Sequence, residues 1–219
     1  MPSLNSAPPE RRRQQRAVET RNALLDTAIV AFSVMGYDGI SVRQLEERSG
    51  VNRGLVAYHF GDKEQLWRDA VDRLFEALAE DFLDRVVPLA DVAPLEAARA
   101  LVRAFVRYSA AHPELNRLMM QESVVASWRA DYIVDRHIRP LMDNMAALMP
   151  EIAELVWGQS DPHRYYLLIG ASAFVFTAEQ ECLRLFDCSP RDADFVERHA
   201  EMVVELLLPQ TARDTYLEE

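Results

Sequence analysis

The 219-residue sequence is short of cysteine, glycine and lysine and has no long uncharged run. Its two cysteines, Cys182 and Cys188, are too few for a disulfide framework, and their spacing fits neither a C-x-x-C redox pair nor a zinc pair. The longest largely apolar run, Tyr165 to Ala178 with Thr177 inside it, is shorter than the ~18 residues a membrane span needs, and it leads into Glu179 and Glu181. Basic residues near the amino terminus have no apolar segment behind them, so they do not read as a secretory signal. Enzyme signatures are missing too. His59, His112, His137, His163 and His199 show no H-E-x-x-H spacing. There is no G-x-S-x-G elbow and no phosphate-cradling glycine loop. His199-Ala200-Glu201 matches half of a nucleobase-deaminase signature whose P-C-x-x-C partner is absent. These shortages predict a cytoplasmic protein that is not an enzyme, carries no cofactor or metal and has no membrane partner.

What is present is an ordinary globular balance, 49% hydrophobic and 27% charged, enough for one large domain or two modest ones. The net charge is −11, which taken alone argues against duplex binding, because affinity for DNA comes largely from neutralising phosphates. The charge is unevenly spread. Residues 1–61 hold eight arginines against six acidic residues, while the remaining 158 carry the whole acidic excess. A DNA-facing amino-terminal end therefore stays compatible with an acidic chain.

From Val18 onward nearly every segment has helical spacing, and no stretch shows sustained strand alternation, so the fold class is all-α. Residues 1–17, with three prolines and four arginines, read as a disordered basic arm. Five of the seven glycines (Gly36, Gly39, Gly50, Gly54, Gly61) fall in one short window, which predicts short helices joined by tight turns there and long helices elsewhere. A first helix is expected over Val18–Met35. A second opens at Ser41, with Gln44 completing a capping box. A third runs from Arg53 to His59 behind an Asn52 cap, and a fourth opens at Asp62-x-x-Gln65. Pro94, Pro113, Pro162 and Pro190 each mark a helix start. These give helices near 95–111, 114–127, 130–149 (kinked by Pro140), 162–186 and 190–208, about nine in total, with an extra turn over 151–157. Residues 18–64 and 65–210 form the expected domains, with 211–219 a tail.

Two short helices around Ser49-Gly50-Val51 have the proportions of a helix-turn-helix, with Leu45 and Val51 placed to bury between them. The stretch over residues 36–66, GYDGISVRQLEERSGVNRGLVAYHFGDKEQL, resembles the DNA-binding domain of the TetR (tetracycline-repressor) family of bacterial transcription regulators. Gly36-Tyr37, Ser41-Val42, Gly50-Val51, Gly54, His59-Phe60 and Lys63-Glu64-x-Leu66 carry the resemblance. It implies an amino-terminal three-helix DNA-binding domain and a larger carboxy-terminal helical domain for ligand binding and dimerisation. The implied protein is a homodimer that binds a palindromic operator in double-stranded DNA and answers to a small-molecule effector, most simply as a repressor.

Carried onto this sequence, the resemblance assigns Ser41 and Lys63 to phosphate and Arg43 and Arg53 to base edges, where arginine's fork suits guanine. Asn52 and Leu55 join the exposed set at the start of the recognition helix. Tyr58 and His59 are assigned to backbone or thymine-methyl contacts, with packing on the first helix as the alternative. Lys63 is the only lysine among 24 basic residues. Ala57 departs from the family pattern, where many members carry a tyrosine, and this leaves open a helical ligand-binding or interaction protein that has lost DNA binding. Arg11, Arg12, Arg13 and Arg16 either follow the minor groove or form a solvated tail.

In the carboxy-terminal part, Phe105, Tyr108, Met119, Trp128, Tyr132, Met142 and Met145, with Met120 and Met149 nearby, suit an adaptable apolar cavity or a plain core. Glu122, with Arg129 and His137, is a candidate polar contact within it, so the implied effector is largely apolar. The last two long helices match the family's dimerising pair. Phe174, Leu183, Phe195, Met202 and Leu206 are the candidate interface, with Gly170-Ala171-Ser172-Ala173 permitting close approach. Glu179 and Glu181 either select a cationic effector or satisfy polar groups at that interface.

Overall fold

A computed structural model describes residues 9–86, 91–158 and 161–209. Among them every regular element is helical, and no helix is long and apolar enough to cross a membrane. The chain divides into two compact units, 1–73 and 74–219. The division falls inside the fourth helix, beyond the 64/65 boundary expected from the sequence.

The first unit is built from α1 (Pro9–Met35), α2 (Val42–Arg48), α3 (Leu55–Phe60) and the start of α4 (Lys63–Val86). Its core joins Leu24, Ala28 and Phe32 of α1 to Leu45 of α2, Val56 of α3 and Leu66 and Trp67 of α4, each at most 1% exposed. Tyr37 bridges two of these elements, stacked on Phe32 and edge-on to Trp67. Arg21–Asp69 and Arg73–Asp26 ion pairs tie α1 to α4 along their polar flanks. Burial continues past residue 64 through Ala70 and Val71, which explains the shifted boundary.

Three expectations for this unit need correction. Residues 9–17 are helical rather than a disordered arm. Pro9 opens α1, arginine and glutamine favour helix, and Gln15 donates to Glu19 one turn on. The apolar periodicity that guided the expectation is simply absent from a solvated helix end; residues 1–8 lie outside the described residues. The recognition helix starts at Leu55, not Arg53, because Gly54 sits in the left-handed region at φ 87°. Asn52 is therefore not its cap. That role falls to Glu46 of α2, whose buried carboxylate accepts from the Val56 N–H at 2.9 Å.

The second unit continues α4 and adds α5 (Pro94–Ala111), α6 (Pro113–Glu122), α7 (Trp128–Ile133), α8 (Arg139–Leu148), α9 (Pro150–Trp157), α10 (Pro162–Thr177), α11 (Glu179–Phe186) and α12 (Ala193–Leu207). Prolines 94, 113 and 162 open helices as expected. Pro190 does not. The Ser189 hydroxyl accepts from the Arg191 N–H in a turn, and α12 begins at Ala193. Pro140 lacks the N–H that an α-helix would use, and a π-helical turn, Val134–Ile138, relieves the break, with Arg139 N–H reaching back to Val134. The expected 162–186 helix splits at Ala178, where the Phe174 carbonyl accepts both the Ala178 N–H and the Thr177 hydroxyl. Two splits and the full α9 helix account for the excess over nine.

Leu101, Val102 and Val106 of α5 form the centre of this unit's core with Ile152 and Val156 of α9, Phe176 of α10 and Val203 and Val204 of α12. Arg99, Arg103 and Arg107, one turn apart on α5, face α12. Arg99 donates twice to the Leu208 carbonyl, which closes the α12 C-terminus. Arg103 and Arg107 make two-pronged pairs with Glu201 and Glu197. Hydrogen bonds from these arginines hold both carboxyls below the ordinary carboxylate range.

Candidate functional site

The α2–turn–α3 surface collects the residues expected to meet a nucleic acid. Ser41 caps α2 in a closed capping box. Its oxygen accepts from the Gln44 N–H, and the Gln44 side chain accepts from the Ser41 N–H at 2.9 Å and the Ser41 hydroxyl at 2.8 Å. The Ser41 hydroxyl is thus already engaged, and a phosphate there would compete with Gln44. Arg43 stands exposed one turn into the helix. The turn that follows is short because Gly50 takes φ 68°, with its N–H bonded to the Glu47 carbonyl.

Asn52 and Arg53 lie exposed in this turn ahead of α3, so Arg53 projects from the helix approach rather than from the helix. Leu55 is half-buried, and Ala57 is exposed. Tyr58 is the most prominent side chain on α3, 73% exposed, so its alternative role in packing on α1 does not hold. His59 is half-buried with its ring edge-on to Tyr58 at 4.8 Å. Burial first and the Arg21 charge second hold its imidazole below the ordinary histidine range. Lys63 begins α4, and its ammonium lies 4.2 Å from the Tyr37 ring centre, a cation–π contact that fixes where the charge sits.

The structure thus brings Arg43, Asn52, Arg53 and Tyr58 out to solvent on one short stretch of chain, with Ser41 and Lys63 at helix amino termini on either side. Glu46 is the residue sequence reasoning missed. Its signal is tertiary, ten residues from the amide it caps, and no local spacing rule reaches it.

The carboxy-terminal candidates separate into smaller groups. Met145 and Tyr108 are core residues, and the Tyr108 hydroxyl donates to the Leu74 carbonyl. Burial pushes that phenol up to about 12. Phe105 and Met142 pack half-buried against the same core. Glu122, 6% exposed, pairs with Arg129 at 2.7 Å, and that guanidinium lies over Trp128. Tyr132 meets His137 edge-on, and His137 stacks flat on Phe75 at 4.5 Å. Met119 is half-buried on α6. Glu179 faces Arg117 at 3.9 Å, while Glu181 is exposed.

On α10, α11 and α12 large apolar side chains point outward. Phe174 is 52% exposed, Met202 69% and Leu206 65%, and Tyr166, Leu167, Leu183, Leu185 and Phe186 join them. Phe195 is half-buried. Gly170 opens onto free space between Tyr166 and Phe174. Among the described residues no group of His, Cys, Asp and Glu side chains is placed to hold a metal.

Comparison with known proteins agrees with this geometry. The profile of bacterial regulatory proteins of the tetR family matches residues 24–70, and a tetracyclin repressor-like C-terminal domain matches 94–207, more than half of the chain. The HTH-type transcriptional repressor AcnR of Corynebacterium efficiens is 38% identical over 76 residues, which cover 33% of this chain and 40% of AcnR. The chain therefore spans well under two thirds of that relative. The HTH-type transcriptional regulator RutR of Escherichia coli is 27% identical over 176 residues, 73% of this chain and 75% of RutR. A crystal structure of AibR, solved with isovaleryl coenzyme A and operator DNA, superposes with a TM-score of 0.63 at 18% identity, over 87% of this chain and 98% of AibR. A helix-turn-helix unit followed by a larger helical unit, each matched by the corresponding family profile, places this chain in the TetR family.

Proposed function

We propose that the chain is a homodimeric, sequence-specific DNA-binding transcriptional regulator, a repressor released from a palindromic operator by a small, largely apolar effector. The observation that carries this reading is the set of unburied side chains on the α2–α3 surface. Arg43, Asn52, Arg53 and Tyr58 are held outward by a rigid scaffold of buried leucine, valine and aromatic residues. Two arginines can each present a two-pronged donor to guanine, while the helix starts at Ser41 and Lys63 suit phosphate. Lys63 also compensates in part for the missing tyrosine at Ala57.

The outward face of Phe174, Leu183, Met202 and Leu206 supports a two-fold dimer, with Phe195 at its margin. A two-fold protein reads a palindrome whose half-sites lie ~34–36 Å apart. For the effector, Phe105, Tyr108, Met119, Trp128, Tyr132, Met142 and Met145 supply apolar and aromatic surface, and the Glu122–Arg129 pair supplies buried polarity. An effector releases DNA only if it binds the DNA-incompetent state more tightly, so its affinity must fall when operator is present. Regulation without catalysis is the corresponding expectation, with the gene neighbourhood as the natural target.

Selection of bound duplexes from a random pool tests the reading. Recovery of a two-fold symmetric sequence supports it. An unenriched pool would favour an interaction protein without DNA recognition, the reading Ala57 keeps open.

A further inference from the structure

The two cysteines, unremarkable in sequence, are brought together by the way α11 ends. Asp187 takes φ 52°, ψ 34°, and its N–H bonds the Leu183 carbonyl at 3.2 Å. A helix closed by a left-handed residue turns the following residue back onto the side chains three and four positions before its last helical turn ends. Here the following residue is Cys188, and the position it returns to is Cys182. The Cys182 thiol is accordingly hydrogen-bonded to Cys188. No other cysteine exists in the chain, and both are free.

The two differ in access. Cys182 is 7% exposed. Cys188 is half-buried and lines a surface cavity of about 450 Å³ with Ser189, Asp192, Phe195 and Arg198. Arg198 and the amino terminus of the 15-residue α12 favour a thiolate at that cavity, and Asp192 and Asp194 oppose it.

We propose that Cys182 and Cys188 are a modification site, closing to a reversible intrachain disulfide when the protein meets a hydroperoxide. The reaction balances in two steps. The Cys188 thiolate attacks one peroxide oxygen, the O–O bond breaks, and a sulfenic acid forms as the other oxygen leaves and is protonated to water. Cys182 then attacks the Cys188 sulfur. The S–O bond breaks, the hydroxide takes the Cys182 proton, and a second water leaves. Two thiols have lost two electrons and the peroxide has gained them. Burial pushes the Cys182 thiol up, which suits it to the second step rather than the first. A cellular dithiol reverses the bond by exchange. The crosslink would staple the end of α11, which carries the exposed Leu183, Leu185 and Phe186, to the chain entering α12. None of this depends on DNA binding.

The test uses the full reduced chain treated with hydrogen peroxide, followed by thiol titration and intact mass. Both thiols should disappear in step, with a mass loss of two hydrogens, a single-chain band without reductant, and full recovery in dithiothreitol. Cys182→Ser should leave a Cys188 sulfenic acid trapped by dimedone, and Cys188→Ser should keep its Cys182 thiol at the same dose. Oxygen addition to Cys188 with the Cys182 thiol intact in the natural chain would overturn the proposal. So would a crosslinked two-chain species, or no reaction at all.

Discussion

Replacing Glu46 probes how the DNA-facing surface is held. Its carboxylate lies 2.9 Å from the Val56 N–H, it is 4% exposed, and α3 has no side-chain cap of its own because Gly54 occupies the cap position. Hydrogen bonds to charged groups contribute about 1.5–3 kcal/mol, and helix N-caps about 0.5–2 kcal/mol. The shared range is about 1.5–2 kcal/mol for Glu46→Ala, which also leaves a buried amide without an acceptor. At about 1.4 kcal/mol per decade, local opening of α3 should become about ten- to thirtyfold more frequent. Amide hydrogen exchange followed by NMR reads this directly at Val56. Faster exchange should be concentrated in residues 55–60, with α5 and α12 unchanged. Glu46→Gln keeps a neutral oxygen acceptor and should cost less than half as much. Unchanged exchange at Val56 in the alanine variant would refute the cap, as would a glutamine variant equally damaged.

Three further outcomes follow from the geometry. Arg53→Ala should relax preference at a single base position by about 1–3 kcal/mol in competition binding; a uniform loss over all sequences would assign Arg53 to phosphate instead. Leu206→Asp puts a charge into the outward apolar face, and light scattering should then report a monomer whose helical circular dichroism matches the parent. An unchanged mass would remove α12 from the interface. His59 titrates below the ordinary histidine range in the folded chain. The unfolded chain therefore takes up this proton first, and stability present above about pH 6.5 is lost as pH falls through and below that value. Urea unfolding at a series of pH values should show this loss, and His59→Gln should flatten it.

Local chemistry was legible wherever its partners are close in sequence. The Ser41–Gln44 box, the Asp62 cap that accepts the Gln65 N–H and three proline starts all involve groups within four residues. The α3 boundary was not legible, because a carboxylate from α2 sets it. The break at Ala178 was hidden for a related reason, since no proline or glycine marks it and the competing bond comes from the Thr177 hydroxyl. Residues 9–17 illustrate a different failure. Apolar periodicity detects helices that bury a face, and this solvated helix end buries none. Similarly, Tyr165–Phe176 reads as deeply buried from composition, yet Tyr166, Leu167 and Phe174 face outward, a disposition that a single chain leaves unpaired. For the candidate site, exposure of Arg43, Asn52, Arg53 and Tyr58 agreed with the motif. The pairing of Cys182 with Cys188 depended on a left-handed Asp187 that no spacing rule encodes.

The central claim is that two copies of this chain read one palindrome through the α2–α3 surface. Fluorescence anisotropy with an operator from the chain's own promoter region, titrated across a salt series, tests it most directly. The account predicts two chains per duplex, a clear preference over a scrambled sequence of equal composition, and affinity that falls steeply as salt rises. Equal affinity for the scrambled duplex, or no binding at low salt, would contradict it.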